Sequence, residues 1–168
     1  MERLCQTFEN GAELVDLTDI HVPVIANVLK LYLRQLPEPL ITSPLYRDFI
    51  RIAELCPAPG GDSTISEETA VAELRELCRR LPKTHYHTLG FLMHHIKRVA
   101  EEHESNNMPV SNLAIVFGPT LLWSNKGSTS LTTVMETPHQ ARAIELISIH
   151  ASDIFGPPES VVPKDYSR

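Results

Sequence analysis

The hydrophobic pattern is strongest between residues 24 and 36, where apolar side chains recur at intervals of three and four residues. That spacing places them along one stripe of an α-helix. The stripe comprises Ile25, Val28, Leu29, Tyr32, Leu33 and Leu36. Pro23 suits the first helical turn, and Pro37 with Pro39 prevents the helix from continuing. The pattern therefore predicts a helix over 24–36 with one buried face.

The same predicted helix carries a polar row on another side. Asn27, Lys30 and Arg34 are separated by three and four residues, so they lie along one edge of the helix. In most helices such a row is only the solvated face. The other interpretation is a row that binds a partner, and the spacing alone leaves both open.

The remaining chain also shows helical spacing, without the alternation that is typical of strands. Long helices are expected at 84–102, 109–117 and 138–154, and together with 24–36 they should form the main core of an all-α fold. Gly118 and Pro119 are expected to break the second of these helices.

Two segments are expected to lie outside the helices. Residues 131–135 could be extended or irregular, ahead of a capping box at Thr137 and Gln140. Residues 156–168 are rich in proline and polar side chains, so we expect a disordered tail that follows a domain over 1–155.

Composition excludes several classes of function. The 168 residues suit one domain, and 15 basic against 21 acidic residues give a net charge of −6, which argues against a general nucleic-acid binder. No apolar run approaches the roughly 20 residues that a membrane span needs, so no direct membrane insertion is expected. Cys5, Cys56 and Cys78 are widely separated, which suits reduced thiols in a cytoplasmic protein.

The common catalytic and metal-binding motifs are missing from the sequence. It contains no GxGxxG, GxxxxGK[ST], GxSxG or HExxH. His85, His87, His94 and His95 fall on or near one helix, but no carboxylate or cysteine completes a ligand set at helical spacing. These histidines are expected on a helix surface, and we predict neither a metal nor a cofactor.

A polar residue interrupts the apolar run NMPVSNLAIVFGPTLLW at 107–123. Asn112 lies near the start of the predicted helix at 109–117. It could be a buried side chain that caps a neighbouring element, or it could have a role beyond packing.

Two motif blocks resemble a known family. VLKLYLRQLPEPLI at 28–41 and NLAIVFGPTLL at 112–122, with a Leu-Pro pair and a long helix at 81–99 between them, are similar to the GTPase-activating domain of Rho-family small GTPases, the RhoGAP domain. The resemblance extends over residues 1–155, and the motifs follow one another in the same order as in the family. It implies a RhoGAP-like helical bundle that binds the GTP-bound form of a Rho-family GTPase and stimulates GTP hydrolysis.

The resemblance also implies roles for particular residues. Lys30 and Arg34 match the basic pair on the helix that faces the GTPase, and Asn27 shares their row. Asn112 matches the polar residue that contacts the switch region, and Pro119 matches the apolar contact beside it. We therefore expect these five residues to bind the GTPase, whose switch region is ordered by the γ-phosphate.

The sequence departs from the family at its catalytic element. In RhoGAP domains an arginine finger lies on a loop before the helix with which this chain begins, and neither that loop nor the preceding core helix matches any part of it. Arg3 lies in the helix after the finger loop. An arginine finger contributes about 10³–10⁵ in rate. We expect a bundle that lacks the first core helix, no catalytic residue, and weak or absent stimulation.

Two alternatives follow from that departure. The chain could be a catalytically inert module that binds the GTPase, or an incomplete and unstable fragment. A missing core helix should expose apolar faces on the helices at 24–36 and 84–102, which would favour self-association.

Overall fold

The computed structural model describes residues 2–123 and 130–162, and the regular structure within these ranges is helical. The chain divides into two compact units, Met1–Pro37 and Glu38–Arg168. An all-α fold was predicted, and it is confirmed.

The first unit contains two α-helices and one short turn. Helix α1 spans Glu2–Asn10, a 3₁₀ turn spans Ala12–Leu14, and α2 spans Val22–Arg34. Helix α2 ends slightly before the predicted limit, where the backbone N–H of Gln35 donates to the carbonyls of Leu31 and Tyr32.

The predicted buried stripe of α2 is wrong for two of its six residues. Val28 and Leu33 are buried, but Leu29 is 37% exposed and Tyr32 is 63% exposed. Helical spacing specifies which residues share a face, but it does not specify whether another element covers that face.

The second unit contains the remaining helices. They are α3 (Tyr46–Leu55), α4 (Glu67–Arg79), α5 (Lys83–Glu101), α6 (His103–Asn106), α7 (Val110–Leu121), α8 (Ser130–Ile149) and α9 (Ala151–Phe155). Helix α8 packs against both α7 and α3. Large apolar side chains from several helices are fully buried between them: Phe49, Ile52, Leu74, Leu89, Met93, Ile96, Leu121, Ile144 and Ile147.

Helix α7 continues through the Gly-Pro pair, so the predicted break at Gly118 and Pro119 is wrong. Pro119 removes one helical hydrogen bond, the one to the carbonyl of Ile115. The final turn forms other bonds: the Thr120 hydroxyl donates to the Val116 carbonyl at 3.1 Å, and the Leu122 N–H donates to the Gly118 carbonyl at 3.0 Å. One missing bond near a helix end is tolerated when such bonds are present.

Gly118 allows the backbones of α7 and α8 to approach closely. A Cβ atom at this position would lie 2.9 Å from the backbone nitrogen of Ala141 and 2.9 Å from the carbonyl carbon of Gln140. Both neighbours are backbone atoms within a helix, so neither can move without shifting α8. The position therefore requires glycine for packing.

Helix α8 begins earlier than predicted and includes residues 131–135, which were expected to be extended or irregular. Pro138 lies inside the helix instead of at its first turn. The carbonyl that Pro138 leaves without its helical donor belongs to Val134, whose side chain is 72% exposed, so water can reach this part of the helix. The helix ends at Ile149, before α9.

The first part of the expected disordered tail is packed against α5. Pro158–Ser160 forms a 3₁₀ turn and Val161 is 1% exposed. A Cβ atom on Gly90 would lie 2.7 Å from Cγ1 of Val161, so the glycine makes room for this segment. Proline-rich, polar composition did not indicate that one apolar residue, Val161, would pack against the domain. The expected disorder of residues 163–168 lies outside the described residues.

A polar cluster joins α3 to α8, with Tyr46, Glu136 and Gln140 buried and the Arg47 side chain exposed. The hydroxyl of Tyr46 donates to Oε2 of Glu136 at 2.5 Å, and Nη1 of Arg47 donates to Oε1 of the same carboxylate at 2.6 Å. Nε2 of Gln140 donates to the Tyr46 oxygen at 3.1 Å. Burial, reinforced by the bond to Glu136, raises the pKa of Tyr46 from 10.0 to about 12.

Replacing Gly118 with alanine should destabilise the protein. In an open helix Gly→Ala stabilises by about 1 kcal/mol. Here the contact with α8 should reverse the sign and cost about 2–3 kcal/mol, as overpacking does. Urea denaturation measures the free energy of unfolding of the variant and of the parent protein. Ser111→Ala, at an exposed position of α7, is the control and should change stability by less than about 0.5 kcal/mol. A stabilised Gly118→Ala variant would contradict the close approach.

The Tyr46 cluster predicts a stability loss in strong base. The pKa of Tyr46 is about 12 in the folded chain and about 10 in the unfolded chain, so its contribution is complete below pH 10 and is lost as the pH rises towards 12. Tyr46→Phe should lack this loss. Unfolding free energies of both proteins between pH 9 and pH 11.5 test this, and parallel curves would refute it.

Candidate functional site

The polar row of α2 is present in the first unit as predicted. Asn27 and Arg34 are exposed, and Lys30 is half-buried. A half-buried lysine covers apolar surface with its methylene chain while the ammonium group stays in water. Arg34 lies in the last helical turn, where a positive charge interacts favourably with the helix dipole. The row therefore combines two cations and an amide along one side of a regular helix.

A second row of α2 is apolar and exposed. Leu29 and Tyr32 lie on the predicted core stripe, and Val22 at the first position of the helix is 75% exposed. On α5 in the second unit, Phe91 is 52% exposed. Both helices thus carry exposed apolar side chains, and self-association of the chain stays a prediction.

The outward face of α7 carries the other predicted contact residues. Asn112 is exposed and Pro119, two turns later, is half-buried. On the opposite side of the helix Leu113, Phe117 and Leu121 are buried. The exposure of Asn112 excludes its interpretation as a buried cap.

Ile115 is a residue of this face that the sequence reasoning missed. It follows Asn112 by three residues and precedes Pro119 by four, and its side chain is 58% exposed. The signal was present in the spacing, because positions three and four apart share a helix face. No role was assigned to Ile115 from the sequence.

Arg3, the first arginine of the chain, is exposed on α1. Its backbone carbonyl accepts a hydrogen bond from the Thr7 hydroxyl at 2.9 Å, within a regular helical turn. The neighbouring Leu4 is buried. Arg3 is therefore held on a helix in the first unit.

Two of the four histidines of α5 have hydrogen-bond partners in the second unit. His94 is buried, and its Nε2 lies 3.0 Å from the carbonyl oxygen of Gly156, so the expectation of a surface histidine is wrong there. His85 is half-buried, and its Nδ1 lies 2.9 Å from the carbonyl oxygen of Leu40. The seven-residue spacing of His87 and His94 shows that they share a helix face. Whether each is buried depends on the elements that pack against that face.

Within residues 2–123 and 130–162, no group of three histidine, cysteine or carboxylate side chains could hold a metal ion. No helix in these ranges is sufficiently long and apolar to cross a membrane. The candidate residues are thus amides, cations and apolar side chains on two helix surfaces, a composition suited to contacting another protein.

Comparison with known proteins identifies the family. The RhoGAP domain model matches residues 1–126. The chain is 44% identical over 175 residues to Rho GTPase-activating protein 29 of Danio rerio, covering 95% of this chain and 13% of that protein. It is 44% identical over 177 residues to human Rho GTPase-activating protein 45, covering 92% of this chain and 15% of that protein. The chain therefore belongs to the RhoGAP family.

Solved structures agree with this assignment. The BH domain from GRAF, the GTPase regulator associated with focal adhesion kinase, matches with a TM-score of 0.76 and 31% identity, covering 94% of this chain and 80% of that one. Human Rho GTPase activating protein 15 matches with a TM-score of 0.77 and 25% identity, covering 93% of this chain and 72% of that one. The family consists of GTPase-activating proteins, and this chain spans about one seventh of the length of the two relatives above.

Proposed function

We propose that this chain binds the GTP-bound form of a Rho-family small GTPase through the outward residues of α2 and α7. The main support is the exposure of Asn112 on a helix whose opposite side, with Leu113, Phe117 and Leu121, is buried; the family resemblance places a GTPase contact at this position. A polar amide kept at the surface of such an apolar helix is available for hydrogen bonding to a partner.

The chemistry of the two rows suits a protein surface with both charges and apolar groups. Lys30 and Arg34 offer cations for carboxylates or backbone carbonyls of the partner. Ile115 and Pro119 offer apolar surface beside the Asn112 amide. In GTPases the γ-phosphate orders the switch segments, so a surface that fits these rows would exist mainly in the GTP-bound state.

The family role is to accelerate GTP hydrolysis, but we infer that residues 1–168 supply little of the catalysis themselves. Lys30 and Arg34 lie on a regular helix, and Arg3 lies on α1. None of the three is carried by a loop that could place its positive charge on a transferring phosphate. Docking alone lacks the charge stabilisation that an arginine finger provides.

A second candidate function is a binding module without catalysis. It is favoured by the same observation, that Lys30, Arg34 and Arg3 all lie on helices and none lies on a finger loop. It would occupy the GTP-bound switch regions and compete with other partners. A cytoplasmic location is inferred for either function, because Cys5, Cys56 and Cys78 are free thiols.

Alanine substitutions test the docking rows. Lys30→Ala, Arg34→Ala and Asn112→Ala should each weaken binding to a Rho-family GTPase loaded with a non-hydrolysable GTP analogue by about tenfold, equivalent to roughly 1.4 kcal/mol. Isothermal titration calorimetry measures the affinity, and the two charge variants should also reduce its salt dependence.

Arg79→Ala is the matched control for these variants. Arg79 is an exposed arginine on α4 whose Nη1 lies 2.7 Å from Glu76, a surface ion pair of little energetic value. Its removal should leave the affinity unchanged. Equal affinities for all four variants would place the GTPase contact elsewhere.

Single-turnover hydrolysis tests the catalytic inference. Residues 1–168 at saturating concentration should accelerate GTP hydrolysis by less than about tenfold, against the 10³–10⁵ that an arginine finger contributes. Thousand-fold acceleration that disappears in Arg3→Ala would contradict the inference and assign the finger to α1.

A further inference from the structure

The connection from α5 to α7 runs along the surface of the second unit. The structure describes all of residues 97–112, and none of their side chains is buried, whereas Ile96 before them and Leu113 after them are buried. Segments with few buried apolar contacts open easily, so specific hydrogen bonds decide where such a segment lies. The segment includes the first turn of α7, with Asn112.

The side chain of Asn106 makes two hydrogen bonds that cross this connection. Its Nδ2 donates to the Val99 carbonyl at 2.8 Å, and its Oδ1 accepts from the backbone N–H of Met108 at 2.8 Å. The Val99 carbonyl lies in the last turn of α5, where carbonyls lack the donors of the helix interior. One amide thus connects the end of α5 to the residue two positions before α7.

The two partners define the orientation of the Asn106 amide. A carbonyl oxygen only accepts and a backbone N–H only donates, so Nδ2 faces Val99 and Oδ1 faces Met108. The next residue, Asn107, has a left-handed backbone with a φ of 56°, which asparagine adopts more readily than most residues. The bridging amide and this turn together determine where α7 begins.

Asn112 depends on this starting point more than the later residues of α7 do. It lies in the first helical turn, and its N–H donates to the Pro109 carbonyl at 3.0 Å, directly after the bridged residue. From Leu113 onward, buried side chains and the close contact of Gly118 with α8 fix the helix. Loss of the bridge would therefore displace Asn112, while Ile115 would keep its place.

We propose that Asn106 is a positioning residue for GTPase docking, which holds the first turn of α7 and so determines where the Asn112 amide lies. The proposal rests on the proposed function, because Asn112 is the residue that would contact the GTPase. Asn106 acts through the backbone and needs no contact with the partner. Asn106, its two hydrogen-bond partners and Asn112 all lie in the second unit.

Asn106→Ala removes both bonds of the bridge and tests the proposal. It should weaken binding to a Rho-family GTPase loaded with a non-hydrolysable GTP analogue about fivefold, the usual effect of one lost hydrogen bond. The reason is that the Asn112 amide then occupies its binding position for a smaller fraction of the time. Isothermal titration calorimetry measures the affinity of the variant and of the parent protein.

Ser105→Ala is the matched control in the same exposed segment. The Ser105 hydroxyl donates to the Glu102 carbonyl at 2.9 Å, a bond that stays within one turn and does not reach α7. Its removal should leave the affinity unchanged, and thermal unfolding of every variant confirms that the fold is retained. A loss of affinity in Ser105→Ala equal to that in Asn106→Ala would overturn the proposal.

Double-mutant cycles distinguish positioning of Asn112 from a general loosening of α7. If Asn106 acts through Asn112, Asn106→Ala should have little further effect on affinity in the Asn112→Ala background. Its effect should add to that of Ile115→Ala, because Ile115 lies beyond the anchored Leu113. Full additivity with Asn112→Ala would overturn the proposal.

Hydrogen exchange of the unbound chain tests the positioning role even if no GTPase binds. In Asn106→Ala the amides of Asn112 and Leu113, which both donate to the Pro109 carbonyl, should exchange about fivefold faster than in the parent protein. In Ser105→Ala they should exchange at the parent rate. Unchanged exchange in Asn106→Ala would overturn the positioning role. Failure of the parent protein to bind, with the expected exchange pattern, would overturn only the proposed function.

Discussion

The close approach of α7 to α8 at Gly118 determines which side of α7 is available to a partner. With the two backbones in contact, Leu113, Phe117 and Leu121 are directed into the core. The strip that remains at the surface contains Asn112, Ile115 and Pro119. A side chain at residue 118 would have to displace backbone atoms of α8. The absence of a side chain at Gly118 therefore permits the close packing of α7 on α8, and this packing in turn leaves the proposed docking face of α7 at the surface.

Helix α8 links this contact to the rest of the second unit. Gln140 lies beside the Gly118 contact, and its side chain also donates to Tyr46 on α3. Glu136, one turn earlier, accepts from Tyr46 and Arg47. A buried carboxylate needs hydrogen-bond donors, and those of Glu136 come from α3, so the polar cluster favours one alignment of α3 with α8.

Much of the fold could be predicted from the sequence, because helix-forming spacing is local. The predicted helices at 24–36, 84–102 and 109–117 correspond to α2, α5 and α7. The errors involve tertiary context. Pro119 and Pro138 look like helix ends, yet both lie inside helices whose neighbouring bonds or solvent contacts offset the missing N–H.

Burial was the other quantity that the sequence could not supply. Tyr32 lies at a position that the helical periodicity predicts to be in the core, but it is exposed. His94 is a polar residue that was expected at the surface, but it is buried. For the docking residues, spacing identified a shared row on each helix, and the family resemblance supplied the interpretation that the spacing left open.

The most direct test is to measure the affinity of this chain for one Rho-family GTPase in two nucleotide states. If the outward rows of α2 and α7 bind the ordered switch segments, the GTP-analogue form should bind about tenfold or more tightly than the GDP form, a typical magnitude for coupling between two sites. Equal affinity for the two forms would contradict recognition of the switch regions, and with it the account of these surfaces.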